Sequence, residues 1–165
     1  MGKNKKGPKK APIFEAAERG DLQALIECLK EDASSRDSRN RDGWTPLHQA
    51  AYSGQQKIVS ALIKAGAKIN DKDNDGDTPL HYASAQNQSD CITVLAKSGA
   101  DMEARDKDGE SPMDVAANGK VKQLLKKLLE ESHISAEGGE QDEDEWEELE
   151  GDEAEKELAK LEIKK

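Results

Sequence analysis

The sequence predicts an all-α fold with β-hairpin turns, built as a solenoid of four helix–turn–helix repeats. The first observation behind this prediction is that several residue types recur together in the middle of the chain at a step of 33 residues. The second is that the apolar residues between the recurring positions follow the spacing of helices rather than the alternation of strands. A period of this length is typical of stacked units that bury their apolar faces against one another.

A hexapeptide sets the period. The sequence TPLHQA at Thr45–Ala50 recurs as TPLHYA at Thr78–Ala83 and, in degraded form, as SPMDVA at Ser111–Ala116, and an Asp-Gly pair precedes each copy. This pattern resembles the ankyrin-repeat family, whose signature is this hexapeptide at this spacing. The resemblance implies that His48 and His81, at the fourth place of the hexapeptide, hold their turns by hydrogen bonds.

Each repeat is expected to contain two helices. Thr45, Thr78 and Ser111 stand directly before a proline, an order that favours an N-cap followed by the first helical turn, so a first helix is expected in the fourth repeat as well. The second helix carries the larger apolar stripe, in which Leu62 and Leu95 are expected core residues. In the internal repeats a glycine then favours helix termination, and the Asp-Gly pairs favour β-turns between repeats.

The two terminal repeats diverge from this pattern, as expected of capping units whose outer faces meet water. The first lacks the hexapeptide, with a second helix expected over about residues 22–30, and the fourth has Asp114 in place of the histidine. The predicted domain covers residues 11–133, with repeats at about 11–43, 44–76, 77–109 and 110–133, between a basic arm of residues 1–10 and an acidic tail of residues 134–165.

Composition restricts the class of function. The net charge of −10 argues against a general affinity for nucleic acid, including DNA, and no apolar stretch approaches the roughly 20 residues that span a membrane. No apolar run follows the lysine-rich N-terminus, so no secretory signal is expected. Cys28 and Cys91 both fall in apolar helical patterns, which predicts reduced core thiols in a cytosolic or nuclear protein.

The two ends carry opposite charge. Residues 1–10 contain five lysines and no acid, which indicates a disordered solubilising arm, a nuclear import signal or a weak contact with RNA. Residues 136–165 contain 14 acids and four lysines, so the tail is predicted to be mostly disordered, with a short helix over residues 152–163. A solvated tail needs no apolar side chains, so we expect a segment that orders on binding or folds back on the basic arm. The tail residues predicted to make this contact are Trp146, Leu149, Leu158 and Leu161.

A few positions suggest chemistry at first sight. The segment Asp71–Gly76 matches the first half of a calcium-binding loop, but the twelfth place, where the loop requires a bidentate glutamate, holds Tyr82. His48 and His81 belong to the hexapeptide, and no nucleophile, phosphate loop or zinc spacing accompanies them. The sequence therefore predicts a protein that is not an enzyme, with no catalytic residue, cofactor or metal site.

The resemblance also implies where a partner binds, because ankyrin proteins meet their partners at the hairpin tips and the exposed side of the first helices. Trp44 is the most informative position, since Asp77 replaces it one repeat on and a solvent-facing place is expected. Tyr52 and Tyr82 lie on the same face, and aromatic residues dominate interface energetics. Alternatively, Trp44 packs on the first repeat. The predicted binding residues are Arg41, Asp42, Trp44, Gln49, Tyr52, Ser53, Asn74, Asp75, Asp77, Tyr82, Gln86, Lys107, Asp108 and Glu110.

The function predicted from these observations is that of an adaptor or scaffold, a monomer that binds a protein partner with a basic region. A few ankyrin repeats followed by an acidic tail are similar in layout to ankyrin proteins that escort newly made ribosomal proteins. A dedicated chaperone for a basic client is therefore the first alternative, and it would need the tail. A small inhibitory subunit of a protein complex is the second, and it would use the same surface as an adaptor.

Overall fold

The computed structural model of the protein describes the backbone of residues 12–138 and the side chains of residues 12–133. Within this range the chain forms seven α-helices and no strand, which confirms the all-α class. A short 3-10 helix, Ala33–Asp37, follows the second α-helix. The α-helices are α1 (Pro12–Arg19), α2 (Leu22–Glu31), α3 (Pro46–Ser53), α4 (Gln56–Lys64), α5 (Pro79–Ala85), α6 (Ser89–Lys97) and α7 (Gly119–Gly138).

The helices stack in two layers, as the predicted solenoid requires. The first helices α1, α3 and α5 pack side by side in one layer, and α2, α4, α6 and then α7 pack successively in the other. Leu62 on α4 and Leu95 on α6 are fully buried between the layers, so the predicted core stripe is confirmed. The first helices contribute small residues such as Ala50 and Ala83, which are also fully buried and permit close approach of neighbouring helices.

A carboxylate or amide side chain closes each turn between repeats. Oδ1 of Asp73 accepts the backbone N–H groups of Asp75 and Asp77, both at 2.9 Å. Asn40 and Asp106 close the preceding and following turns in the same way, at a step of 33 residues. The glycine of each Asp-Gly pair lies in the same turn and has a positive φ, a conformation that disfavours other residues.

Side chains that donate to backbone carbonyls tie each repeat to the next. Nη1 of Arg39 donates to the carbonyl of Lys72 (2.7 Å), and Nζ of Lys72 donates to the carbonyl of Arg105 (2.8 Å). Each of these bonds spans 33 residues, so the same kind of bond joins the first repeat to the second and the second to the third.

The first helix expected in the fourth repeat is absent from the described chain, so that part of the prediction is wrong. Residues 112–115 form only turns, and the backbone N–H of Ala117 then donates to the carbonyl of Ser84 on α5 (3.0 Å). The next helix, α7, begins at Gly119, three residues before the position 122 that the 33-residue step from α6 would give. Oδ1 of Asn118 accepts the N–H of Val121 (3.0 Å) and so fixes that start.

The structure refines two further predictions. Helix α7 continues to Gly138, five residues beyond the predicted domain boundary at residue 133. Both cysteines are free, but only Cys91 is fully buried, and burial raises the pKa of its thiol to about 12. Cys28 is only half-buried and packs against the edge of the core; burial and then the charges of Glu31 and Glu27 raise the pKa of its thiol.

Candidate protein-interaction surface

The histidines of the first helices fix the backbone beneath the exposed surface. The backbone N–H of Thr45 donates to Nδ1 of His48 (3.1 Å), so Nε2 carries the ring hydrogen and donates it to the carbonyl of Asp77 in the next repeat (3.0 Å). Burial lowers the pKa of His48, and the neutral ring is the form that makes these two hydrogen bonds. His81 makes the equivalent two hydrogen bonds and so links the third repeat to the fourth, which confirms the role implied for both histidines.

Three aromatic side chains meet on the exposed side of α3 and α5. The ring centroid of Trp44 lies 4.5 Å from that of Tyr82 and 5.4 Å from that of Tyr52, and the two tyrosine rings are 6.2 Å apart. All three pairs lie in the distance range of favourable aromatic contacts. Tyr52 is 41% exposed, and among the described residues it is the only large apolar side chain that is exposed. We call Trp44, Tyr52 and Tyr82 the aromatic surface.

A chain of hydrogen bonds holds this surface in place. Nε1 of Trp44 donates to the hydroxyl of Tyr82 (3.2 Å), and that hydroxyl donates to Oδ2 of Asp73 (2.5 Å). Burial of the phenol and its bond to Asp73 raise the pKa of Tyr82 well above the usual range, so the tyrosine stays a donor. Since Asp73 also closes the turn that precedes α5, one buried carboxylate orients both the turn and the aromatic rings.

The surface becomes acidic one repeat further on. Asp77 is partly exposed, and burial raises its pKa to about 6. The neighbouring His81 opposes this rise, whereas repulsion from Asp73, Asp106 and Asp75 adds to it. The fold therefore disfavours the charged form of this carboxylate. Among the described residues, no lysine or arginine forms an ion pair with it.

The structure distributes the predicted binding residues unevenly. Gln49 is buried, and its side-chain N–H donates to the hydroxyl of Ser53 (3.2 Å), so the prediction that it faces a partner is wrong. Trp44, Ser53, Asp77 and Tyr82 are partly buried. The exposed members are Arg41, Asp42, Tyr52, Asn74, Asp75, Gln86, Lys107, Asp108 and Glu110.

Trp44 is less exposed than the sequence predicted. Its ring is half-buried rather than solvent-facing, and it packs against Tyr82 of the following repeat. The residue that sequence reasoning missed is Asp73, whose carboxylate anchors Tyr82. The 33-residue step gave a signal for it, because Asn40 and Asp106 occupy the same turn position in the flanking repeats.

Two groups of residues resemble cation sites. In the calcium-like segment, Tyr82 at the twelfth place donates its hydroxyl hydrogen to Asp73 instead of offering a carboxylate. Elsewhere, ligand atoms of Asp77, His81 and Asp106 lie within 4.8 Å of one another. Both ring nitrogens of His81 are already engaged in hydrogen bonds, so the ring has no free lone pair to offer an ion.

The predicted tail contacts Trp146, Leu149, Leu158 and Leu161, like the basic arm of residues 1–10, lie outside the described residues. A membrane-spanning helix is not found in the described portion, where none of the helices is both long and apolar enough.

These features define the class of protein: a solenoid of two-helix units at a 33-residue step, joined by histidines and carrying an exposed surface that spans neighbouring repeats. The protein family described as "Ankyrin repeats (3 copies)" matches residues 2–73 and again residues 66–142. The chain belongs to the ankyrin-repeat family. Ankyrin repeats generally mediate protein–protein interaction and typically form non-enzymatic modules.

Similarity to individual proteins covers short segments of the chain. A segment of 67 residues is 40% identical to Ankyrin repeat domain-containing protein 49 of Homo sapiens, covering 41% of this chain and 28% of that protein. A segment of 57 residues is 40% identical to Oxysterol-binding protein-related protein 1 of Rattus norvegicus, covering 34% of this chain and 5% of that protein. A shorter segment of 34 residues is 56% identical to Calmodulin-binding transcription activator 5 of Arabidopsis thaliana, covering 21% and 4%. The chain thus spans less than a third of the length of these relatives.

Proposed function

We propose that this chain is an adaptor or scaffold that binds a protein partner through the aromatic surface and the neighbouring hairpin tips. The observation that supports this most directly is the exposed ring of Tyr52, set against the rings of Trp44 and Tyr82, which are held by a hydrogen bond from Trp44 to Tyr82 and another from Tyr82 to Asp73. A surface that is already ordered loses little conformational freedom on binding, and large aromatic side chains supply much of the contact energy at interfaces.

The test compares the full chain with its Tyr52→Ala variant in quantitative affinity purification from cells that express the protein. Tyr52 is exposed, and its hydroxyl has no hydrogen-bond partner among the described residues, so the substitution should preserve the fold. Gln123→Ala is the control, because Gln123 is exposed on α7, away from the first-helix layer.

The expected outcome is a partner whose recovery falls about tenfold or more with Tyr52→Ala and stays unchanged with Gln123→Ala. Direct binding is then measured with the purified partner by calorimetry, using the same two variants. If every captured protein is recovered equally by all three chains, the aromatic surface is not the binding site. An inhibitory subunit would use the same surface, and it is distinguished by loss of the partner's own activity in the complex.

A second candidate function is a chaperone for a basic client. It is supported by the acidic character of residues 136–165, with 14 acids and four lysines. Exposed charges are screened beyond about 8 Å at physiological salt, so capture by the tail should be steeply salt-dependent. A chain that stops at residue 138 should then lose a strongly basic client, whereas a partner held by the aromatic surface should remain bound.

A further inference from the structure

The solenoid ends in a helix whose outer side is polar where the other second helices are apolar. Helix α7 begins 30 residues after α6, and at this step the buried Leu125 of α7 matches the buried Leu95 of α6. By the same step Lys122 matches Ile92, and one repeat earlier the equivalent residue is Val59. Ile92 and Val59 are fully buried, whereas Lys122 is exposed. Lys122 therefore lies at the open end of the solenoid, where a further repeat would otherwise pack.

This end of the solenoid is basic. The first eleven residues of α7 contain four lysines and no acid, in a chain whose net charge is −10, and all four lysine side chains are exposed. Lys122 and Lys126 are four residues apart, so they share one side of the helix. We call the four residues the α7 lysines; they are Lys120, Lys122, Lys126 and Lys127.

Residues 12–133 neutralise little of this charge. Nζ of Lys127 lies 3.6 Å from Oε1 of Glu131, and both side chains are largely exposed, so this ion pair is weak. Lys122 acts electrostatically on Asp114 but does not form an ion pair with it. Within the described range, the other two α7 lysines make neither a hydrogen bond nor an ion pair. The charge is therefore open to an acidic ligand.

We propose that the acidic segment of residues 140–153 of the same chain binds across the α7 lysines. This segment contains ten acids and no base, and it begins two residues after α7 ends at Gly138. Its charge is opposite to that of the helix face, and the attraction between exposed charges acts over about 8 Å at physiological salt. The contact goes beyond the proposed adaptor function, because it concerns how the chain covers its own open end.

The connection is long enough for this contact. Lys126 stands 12 residues before Gly138, which is about 18 Å along a helix axis, and Lys120 is about 27 Å away. An extended chain covers about 3.4 Å per residue, so roughly six residues after Gly138 return it to Lys126 and roughly eight return it to Lys120. The residues that arrive there belong to the segment 140–153, and most of its acids follow within reach of the lysines.

The tethered segment also has an advantage over other acidic ligands. A short linker gives it a millimolar effective concentration at the helix, which a separate molecule rarely reaches. A second copy of α7 would bring its own lysines to the same place and would be repelled. Helix α7 belongs to the layer of second helices, whereas the aromatic surface lies on α3 and α5 of the other layer, so the docked segment leaves the aromatic surface open.

The experiment is cross-linking of the full chain with a water-soluble carbodiimide, which joins a lysine amine to a carboxylate when the two groups are in contact. Mass spectrometry of the digested product identifies the joined residues. An equal mixture of unlabelled and nitrogen-15-labelled chains separates links within one chain from links between two. The expected result is that residues 140–153 are joined to the α7 lysines of the same chain about fivefold more often than to Lys68 and Lys107, which are exposed lysines elsewhere on the solenoid.

A second measurement follows the indole N–H signal of Trp146, which lies in the acidic segment, by NMR of the full chain. The chain contains two tryptophans, and the Trp146→Phe variant assigns the signal. Raising the salt concentration from about 0.05 M to about 0.5 M should move this signal as the segment is released. At low salt, Lys122→Gln combined with Lys126→Gln should move it towards the high-salt position, corresponding to a ratio of docked to free segment about fivefold lower.

The matched control combines Lys68→Gln with Lys107→Gln, which removes the same charge from exposed sites outside α7 and should leave the Trp146 signal in place. Links found chiefly to the lysines of residues 1–10, or chiefly between two chains, would overturn the proposal. So would an equal effect of the two pairs of substitutions, since only the general charge of the protein would then matter. The adaptor function is read separately, from the dependence of partner recovery on Tyr52 in the other layer, so either conclusion can fail without the other.

Discussion

Replacing Asp77 with asparagine should stabilise the protein. The side chain is partly exposed and its oxygens accept no hydrogen bond from residues 12–133, so the substitution removes a charge and little else. In the folded state that charge is disfavoured chiefly by burial, and the carboxylates of Asp73, Asp106 and Asp75 add to this effect while His81 partly offsets it. In the unfolded chain water solvates it, and the penalty disappears.

The magnitude follows from the pKa of Asp77, which rises from 3.8 to about 6 on folding. About two pH units correspond to roughly 3 kcal/mol, and solvent screening of this partly exposed group reduces the figure to about 1 kcal/mol. Because the folded state holds its proton more tightly, the wild-type protein loses stability as pH rises from about 4 to about 6. The gain from Asp77→Asn should therefore be absent near pH 4 and complete above about pH 7.

The assay is urea unfolding of the two proteins at pH 4 and pH 7.5, with Asp108→Asn as the control for a change of net charge. The expected result is a gain of about 1 kcal/mol for Asp77→Asn at pH 7.5 only, which corresponds to a thermal shift of roughly 4 °C. A gain of equal size at both pH values would show that packing rather than charge is responsible. Destabilisation at pH 7.5 would show that the carboxylate makes a favourable contact, and the reasoning would be refuted.

Three further predictions concern the stability of the free protein. Leu95→Ala should lower the free energy of unfolding by roughly 2–5 kcal/mol, as is usual for a fully buried leucine; a urea titration without such a loss would contradict the core assignment. Tyr82→Phe should lower the free energy of unfolding by about 1–2 kcal/mol, because Asp73 loses a donor and the indole of Trp44 loses its acceptor. An unchanged melting temperature would show that these hydrogen bonds do not stabilise the protein. His48→Ala should lower the free energy of unfolding by about 3 kcal/mol at pH 7.5. This difference from wild type should narrow below about pH 6.5, because there the histidine of the unfolded chain takes up a proton before the buried ring of the folded protein does. A difference that is independent of pH would contradict a neutral His48 ring in the folded state.

The parts of the fold that depend on local chemistry could be predicted from the sequence. Thr45 and His48 form a reciprocal cap within one turn of helix, and they stand three residues apart in the sequence. The buried leucines of the second helices follow from helical spacing, since the same spacing recurs in each internal repeat. These features require only the 33-residue step and the ordinary preferences of caps, turns and apolar faces.

The parts of the fold that depend on contacts between repeats, or on where a helix begins in the terminal repeat, could not be predicted from the sequence. The burial of Trp44 is decided by Tyr82, which the chain brings against it from the following repeat, and the residue types alone do not give that distance. In the fourth repeat the residues after the hexapeptide do not form the first helix, and Asn118 caps α7 three residues earlier than the repeat step would place it.

The bonds that tie one repeat to the next have an evolutionary consequence. In the bonds donated by Arg39, Lys72 and His48, the donor is a specific side chain, but the acceptor is a main-chain oxygen that any amino acid would supply. The residue that supplies the acceptor in each of these bonds can therefore change its type without a compensating change in the donor. A duplicated 33-residue unit would find its acceptors already present, which gives such a chain a simple route to become longer and to extend its binding surface.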